Sequence, residues 1–166
     1  MVSESFEKMS RQTKMHLTLL EHSGDLDKSH LEGRILDFGA FIGYNSQALK
    51  SFGGDVEAVD VHESIKEIIK EGILSANKVY HQNGIELLRN RPDTYDLICG
   101  FLLGPLHDNI FLNEFYEAAK IGLKDTGKIL ITSDPGSFKY VKKLTDNGYG
   151  FIKRYPTFPP IFIGSK

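Results

Sequence analysis

Apolar residues in this chain follow two spacings, short continuous runs and repeats every three or four positions. Continuous runs bounded by turn residues are typical of strands that are buried on both faces of a sheet. Five such strands are predicted, at residues 35–38, 56–61, 78–82, 95–101 and 128–132. Two later runs, 151–155 and 161–163, lie too close together for a helical crossover, so we expect them to pair antiparallel.

Helical spacing fills most of the intervals between these runs. Each predicted helix carries one apolar face, and the helices cover residues 3–22, 44–52, 64–73, 109–123 and 138–144, with one or two further turns at 86–90. Strands that alternate with helices indicate an α/β fold. We therefore expect a doubly wound, mostly parallel seven-stranded sheet with helices on both faces and a C-terminal antiparallel strand pair.

The composition is that of a globular domain. The chain has 166 residues, 40% hydrophobic and 25% charged, which favours a single domain over residues 1–166 with residues 1–24 as a leading helix. The formal charge of −2 provides no global field for nucleic acid or an anionic membrane. Apolar runs stay well short of the ~20 residues of a membrane span, and the N-terminus lacks a signal-peptide pattern. Because the single cysteine, Cys99, cannot form an internal disulfide, we expect a cytoplasmic protein with no membrane partner.

Polar residues and glycines cluster where the predicted parallel strands end. Ligands of such sheets bind beyond the carboxyl ends of the central strands. The candidate binding residues therefore lie at 37–43, 60, 83–84, 100–103 and 133–134. Asp60 stands 21 positions after Gly39, about the separation that places a carboxylate beside a ribose. The sequence thus predicts a nucleoside-binding site.

The turn after the first strand discriminates between two classes of nucleoside cofactor. A dinucleotide fingerprint needs glycine at relative positions one, three and six, where the pyrophosphate approaches the backbone. Gly39, Phe41 and Tyr44 occupy those positions, so two of the three glycines are missing. The second class of ligand carries an amino acid in place of the pyrophosphate, and its ammonium and sulfonium groups favour nearby carboxylates such as Asp37.

The run from residue 34 to residue 133 resembles the Rossmann-like, class I S-adenosylmethionine-dependent methyltransferases. Its first motif is an apolar strand that ends in Asp37 and a glycine turn, with Phe41 at the middle glycine. The other segments that carry the resemblance are the acidic second motif at 59–61, the pair 83–84, the fourth strand at 95–98 and the turn into strand five at 122–131.

The resemblance implies S-adenosyl-L-methionine as the cofactor and assigns roles to several residues. Asp37 would lie near the methionyl ammonium, and Asp60 would accept hydrogen bonds from the ribose hydroxyls. The Asn83 amide oxygen would accept from the adenine amino group, and the Gly84 amide would donate to a ring nitrogen. The full predicted cofactor-binding set is Asp37, Gly39, Ala40, Phe41, Gly43, Asp60, Val61, Asn83, Gly84 and Gly100. No metal site is expected.

Methyl transfer from a sulfonium is an in-line displacement, so alignment supplies much of the catalysis and a general base is optional. The best-placed base is His107, in the loop after the fourth strand. His16 on the leading helix and Asp134 after the fifth strand are weaker candidates for this role. The apolar residues Phe101, Leu102 and Leu103 could wall the acceptor pocket.

The acceptor is predicted to be a small molecule. No Asn-Pro-Pro-Tyr or Asp-Pro-Pro-Tyr run follows the fourth strand, which removes the strongest signature for methylation of nucleic acid bases. An RNA methyltransferase stays open because of a candidate basic edge formed by Lys139, Lys142, Lys143, Lys153 and Arg154. A non-catalytic binding module, whose methionyl pocket the Phe41 ring would fill, and a nicotinamide-dependent oxidoreductase also stay open. The sequence is also compatible with a homo-oligomer.

Overall fold

A computed structural model describes residues 4–66, 76–101, 109–132, 138–150, 152–155, 157 and 160–166. Its centre is a seven-stranded sheet in the order β3-β2-β1-β4-β5-β7-β6. The strands are β1 Arg34–Phe38, β2 Asp55–Asp60, β3 Lys78–His81, β4 Tyr95–Phe101, β5 Leu123–Thr132, β6 Ile152–Tyr155 and β7 Ile161–Ser165.

Strands β1 to β5 run parallel, and β7 inserts antiparallel between β5 and β6. The predicted α/β fold with a C-terminal antiparallel strand pair is therefore confirmed. The strand order reverses at β1: β2 and β3 lie on one side of it, whereas β4 and β5 lie on the other. This reversal places the carboxyl ends of β1, β2 and β4 at the point where such sheets bind ligands.

Six described helices cover the two faces of the sheet. They are α1 Glu4–His22, α2 Lys28–Leu31, α3 Tyr44–Lys50, α4 Gly84–Arg89, α5 Asn109–Gly122 and α6 Phe138–Asp146. Side chains of α1, α2 and α3 share one apolar cluster with Ile35 and Leu97, whereas α4, α5 and α6 share another with Leu36 and Ile98. Adjacent strand residues thus contribute to opposite cores, which is why the strands read as continuous apolar runs.

Most boundaries lie within two residues of the sequence prediction, and the junction of α5 and β5 differs by more. The fifth strand begins at Leu123 rather than at residue 128, and Leu123, expected on the helix, belongs to the strand. The register shifts between Tyr95 and Leu97, so residues 124–127 bulge out of the ladder. Gly127 permits this bulge, because a Cβ there would lie 2.9 Å from the Lys124 carbonyl oxygen. The helix predicted over 64–73 is described only at 64–66, and its remaining residues lie outside the described part of the chain.

A buried carboxylate holds the amino-terminal edge of the sheet together. Glu57 is fully buried on β2, where its Oε2 accepts a hydrogen bond from the Tyr95 hydroxyl at 2.8 Å and another from the Arg91 guanidinium. Arg91 also donates to the Tyr80 hydroxyl at 2.9 Å. Burial and the neighbouring Glu57 carboxylate raise the pKa of Tyr95. These partners balance the charges of Glu57 and Arg91, although Oε1 of Glu57 accepts no hydrogen bond among the described residues. Removing one partner would leave a buried charge unpaired, so we assign this cluster a structural role.

None of the described helices combines the length and apolarity that a membrane crossing requires.

Candidate functional site

A cavity of about 850 Å³ opens at the carboxyl ends of β1, β2 and β4. Its volume lies within the range of small-molecule and cofactor sites, about 300–1,000 Å³. The residues that line it are Phe38, Gly39, Phe41, Tyr44, Val59, Asp60, Val61, His62, Glu63, Asn83, Gly84, Ile85, Phe101, Phe111 and Glu114. The predicted ligand edge of the sheet therefore carries a cavity large enough for a nucleoside.

The turn between β1 and α3 is built from left-handed backbone conformations. Gly39 has φ 73° and Gly43 has φ 81°, which glycine adopts at little cost. Phe41 has φ 50°, a conformation that costs a residue with a Cβ about 1–2 kcal/mol. The amides of Gly39 and Ala40 donate to the Val59 carbonyl oxygen at 2.9 and 3.2 Å, which fixes the turn against β2.

Asp60 holds the strained residue in place. Its Oδ2 accepts a hydrogen bond from the Phe41 amide at 2.7 Å, and its Oδ1 accepts one from the His62 amide at 2.8 Å. The carboxylate therefore joins the turn after β1 to the loop after β2. Each oxygen keeps further lone-pair capacity toward the cavity that Asp60 lines, so the carboxylate can also accept ligand hydroxyls.

Two groups of apolar side chains contribute to the cavity lining. In one group the Phe41 ring packs edge-on against His62, with centroids 5.2 Å apart, and Val61 is 67% exposed. In the other group Phe38 packs against Phe115 at 4.5 Å. Gly84 allows α4 to approach this wall, because a Cβ there would lie 2.5 Å from the Phe38 ring. A flat apolar group such as a nucleobase fits between walls of this kind.

Acidic side chains dominate the polar part of the lining. Asp60, Glu63 and Glu114 line the cavity, and among its described lining residues none is lysine or arginine. The Lys66 ammonium lies 2.8 Å from Glu63 and offsets that charge. The local field therefore favours a cationic or neutral ligand over a phosphate.

Comparison with known proteins gives no match by sequence: no family model and no curated protein matches the chain. Solved structures do match. A proposed O-methyltransferase from Nostoc punctiforme superposes with a TM-score of 0.75 at 16% identity, over 95% of this chain and 56% of that protein. A proposed S-adenosylmethionine-dependent methyltransferase from Listeria monocytogenes superposes with a TM-score of 0.69 at 15% identity, over 94% of this chain and 99% of that protein.

The chain has the fold of the S-adenosylmethionine-dependent methyltransferases. A third structure with this fold, phosphoethanolamine N-methyltransferase 2 of Haemonchus contortus in complex with S-adenosylmethionine, matches at a TM-score of 0.61 and 19% identity, over 85% of this chain and 38% of that protein. The resemblance seen in the sequence is thus confirmed at the level of the fold.

Within this methyltransferase fold, the predicted site residues fall into three groups. The cavity is lined by seven of them: Gly39, Phe41, Asp60, Val61, Asn83, Gly84 and Phe101. Buried positions beside it, outside the lining, are taken by four more: Asp37, Ala40, Gly43 and Gly100. Two predicted bases, His107 and Asp134, lie outside the described residues, as do Leu102 and Leu103. The roles of all these residues stay predictions.

Asn83 also has a structural role in this methyltransferase fold. It is the N-cap of α4, where its Oδ1 accepts a hydrogen bond from the Ile85 amide at 2.9 Å. The Asn83 oxygen that is assigned to the adenine amino group therefore already accepts one hydrogen bond. An amide oxygen has a second lone pair, so it can accept another. Gly84 begins the same helix and lines the cavity.

Asp37 is fully buried at the end of β1. Its Oδ2 accepts a hydrogen bond from the Ser46 hydroxyl at 2.5 Å, while Oδ1 has no hydrogen-bond partner within the described part of the chain. Burial raises the pKa of the Asp37 carboxyl to about 7, against the effect of Ser46 and with a contribution from Asp60. A buried acceptor without a partner fits a site that is completed by a cationic ligand group.

Several lining residues of this methyltransferase fold were not predicted from the sequence. Tyr44 directly follows the glycine turn, and His62 and Glu63 lie two and three positions after Asp60. Their closeness in sequence to predicted site residues is the signal that could have identified them. Phe111 and Glu114 come from α5 and are three positions apart, so helical spacing places them on one face. Only the packing of α5 against the sheet shows that this face meets the cavity.

Replacing Asp37 with Asn is expected to remove a pH dependence of stability. Between the ordinary pKa of 3.8 and the folded value of about 7, the native state keeps a proton that the unfolded chain has released. The free energy of unfolding therefore decreases as the pH rises through this range. Asn is neutral throughout and keeps an acceptor for Ser46, so the variant should gain stability relative to the native chain from pH 4 to pH 7.

Urea unfolding at equilibrium, at several pH values between 4 and 8, measures this difference. Asp55→Asn, at an exposed position of β2, controls for the loss of one charge. A stability difference between Asp37→Asn and the native chain that is constant across the pH range would contradict the account of the buried carboxyl.

Proposed function

We propose that this chain is an S-adenosylmethionine-dependent methyltransferase that transfers a methyl group to a small-molecule acceptor. One observation carries the proposal: the cavity at the switch point of the sheet places Asp60 between apolar walls, in an acidic lining whose described residues include no lysine or arginine. A nucleoside with a cationic sulfonium matches both the walls and the charge. The sulfonium supplies an activated methyl group with a neutral thioether as the leaving group.

The geometry of the turn argues against a dinucleotide. A pyrophosphate needs free backbone amides and a close approach to the turn. The Phe41 amide is already bonded to Asp60, and the Phe41 side chain stands at the glycine position that would allow the approach. Asp60 and Glu114 would also repel two phosphates. These features disfavour the nicotinamide-dependent oxidoreductase.

The position of the Phe41 ring argues against a blocked, non-catalytic module. The ring packs on His62 beside Asp60 and is 44% exposed, and the cavity of about 850 Å³ exists with the ring in this position. A ring that filled the binding site would be surrounded by the lining residues and therefore buried, which Phe41 is not. We therefore regard Phe41 as a wall of the site.

Two lysines of the candidate basic edge are paired with carboxylates. Lys142 lies 2.7 Å from the Asp146 carboxylate, and Lys153 lies 2.8 Å from the Asp25 carboxylate. Lys143 donates to the Asn113 side-chain oxygen at 3.0 Å. Cations with such partners contribute less to phosphate binding, which favours a small-molecule acceptor over RNA. The name of the Haemonchus contortus protein, phosphoethanolamine N-methyltransferase 2, agrees with an acceptor of this size.

In this proposal the chain contributes mainly binding and alignment. Asp60 accepts from the ribose hydroxyls, and the two apolar walls hold the base and exclude water around it. Asn83 and Gly84 meet the polar edge of the base, and Asp37 lies behind the turn as a buried acceptor for the ammonium. Fixed alignment of an activated methyl group accounts for up to roughly 7–11 kcal/mol of the barrier. His107, the base that the sequence favoured, lies outside the described residues.

Asp60→Asn tests the ribose assignment. Hydrogen bonds to a charged acceptor contribute about 1.5–3 kcal/mol, so the variant should bind S-adenosylhomocysteine roughly 10- to 100-fold more weakly than the native chain. Isothermal titration calorimetry measures both affinities. NAD should show no binding to either protein.

The matched control is Asp55→Asn, which removes an acid from the opposite end of the same strand. It should bind S-adenosylhomocysteine like the native chain. Tight binding of NAD without binding of S-adenosylhomocysteine would refute the proposed cofactor, and unchanged affinity in Asp60→Asn would refute only the role of Asp60.

Phe41→Gly distinguishes a wall of the site from a block. If the ring is a wall, its loss removes apolar contact worth about 1 kcal/mol, so S-adenosylhomocysteine should bind about fivefold more weakly. If the ring is a block, the same change should strengthen binding. Calorimetry on Phe41→Gly separates the two outcomes. Phe41→Leu is the control, because it keeps an apolar side chain on the same strained backbone. Tighter binding of S-adenosylhomocysteine to Phe41→Gly would support the non-catalytic binding module.

A further inference from the structure

A second, smaller cavity lies beneath α1 and shares two walls with the main cavity. Tyr44 and Phe101 line both, and Thr13 and His16 of α1 line the smaller one from the helix above. Phe101 ends β4, so this cavity also lies at the carboxyl edge of the sheet. The two cavities are therefore neighbours at the same edge of the sheet.

Polar side chains contribute to the lining of the small cavity, most of whose surface is apolar. The Thr13 hydroxyl donates to the Asn45 side-chain oxygen at 2.7 Å, and both residues are buried. Thr132, at the end of β5, is also buried and lines the cavity. Hydroxyl and amide oxygens that accept one hydrogen bond have lone-pair capacity for another, so these side chains could also bond to a group that enters the cavity. This lining suits a small polar group.

His16 differs from the other histidines that the structure describes. The rings of His22, His30, His62 and His81 each have a polar partner at 3.1 Å or less. The His16 ring has no hydrogen-bond partner among the described residues, and it lines the small cavity. Burial lowers the pKa of His16, so its imidazole is neutral and able to accept a proton at neutral pH.

The size of the small cavity limits what can enter it. Its volume is about 30 Å³, enough for one or two groups of the size of a water molecule, which each need about 10–15 Å³ on this measure. One hydroxyl or amino group fits, whereas the body of an acceptor molecule does not. The compartment is thus suited to the reacting atom of an acceptor whose remainder lies outside it.

We propose that this compartment receives the nucleophilic hydroxyl or neutral amine of the methyl acceptor, and that His16 is the catalytic residue that accepts its proton. The acceptor oxygen or nitrogen forms a bond to the methyl carbon as the carbon–sulfur bond breaks. The electron pair of that bond stays on sulfur, which leaves as a neutral thioether. The acceptor proton passes to the free ring nitrogen of His16 and then to solvent. This inference rests on the proposed function.

The groups that face His16 support this role. Tyr44 and Asn45 face it from α3, Phe101 from β4 and Thr132 from β5, while Met9, Gln12 and Thr13 lie on its own helix. Among these described residues the only other titratable group is Tyr44, and burial, with a smaller effect of Asp37, raises the pKa of its phenol. Tyr44 therefore stays neutral, and His16, whose pKa is lowered by burial, is the group in this lining that can accept a proton.

The position of the methyl group can be tested without knowing the acceptor. Amide and imidazole chemical shifts are compared between the complexes with S-adenosylmethionine and with S-adenosylhomocysteine, which differ by the methyl group and its charge. We expect the largest differences at His16, Thr13 and Tyr44. Largest differences at residues 60–63 or 109–114, with His16 unchanged, would overturn the inference.

The proton-accepting role is tested with His16→Gln. Transfer of labelled methyl from S-adenosylmethionine to a metabolite extract should fall at least roughly 100-fold, as expected for loss of a general base. The affinity for S-adenosylhomocysteine should stay unchanged, which also shows that the variant is folded. The native rate should decrease as the pH is lowered and His16 is protonated, and the residual rate of the variant should lack this dependence.

His22→Gln is the matched control, because His22 lies on the same helix but is exposed and bonded to the Thr18 carbonyl oxygen. It should transfer methyl groups like the native chain. If His16→Gln transfers methyl groups at the native rate, or if only His107→Gln loses transfer, the role of His16 is overturned and the proposed methyltransferase activity stands. Failure of the native chain to bind S-adenosylhomocysteine would instead refute the proposed function itself.

Discussion

The candidate site depends on one carboxylate that is bonded to two loops. Asp60 accepts the amides of Phe41 and His62 and thereby fixes the turn after β1 to the loop after β2. Because the bond to Phe41 holds a left-handed residue that would otherwise relax, it also sets the position of the Phe41 ring. The same bond occupies an amide that a pyrophosphate would require. A single interaction therefore shapes the cavity and restricts the class of ligand.

The two edges of the sheet treat buried polar groups differently. At the amino-terminal edge the buried Glu57 carboxylate lies among cations: Oε2 bonds to Arg91 and Tyr95, and Oε1, which accepts no hydrogen bond among the described residues, lies 3.8 Å from the Arg34 and Lys78 side chains. At the carboxyl edge, Oδ1 of the buried Asp37 has neither a hydrogen-bond partner nor a cation beside it among the described residues, and the half-buried His16 ring makes no hydrogen bond there. Unpartnered polar groups that are removed from water lower stability, so they are expected where a ligand completes them. This contrast is the reason to place function at the carboxyl edge and stability at the other.

The fold was largely predictable because each strand is buried on both faces and each helix has one apolar face. The prediction failed at β5, since the bulge at residues 124–127 depends on packing against β4 and not on local composition. Within the site, the distance from Gly39 to Asp60 correctly indicated that both residues line one cavity. The burial of Asp37 and the isolation of His16 could not be predicted, because both follow from the way that α1 and α3 pack together over the strand ends.

The most direct test of the proposed function is the fate of the methyl group. The native chain is incubated with S-adenosylmethionine labelled in the methyl group and with an extract separated into small-molecule and RNA fractions. The account predicts label in the small-molecule fraction, with transfer inhibited by S-adenosylhomocysteine. Label in RNA would contradict the proposed acceptor class, and binding of the cofactor without transfer to either fraction would contradict the proposed enzyme.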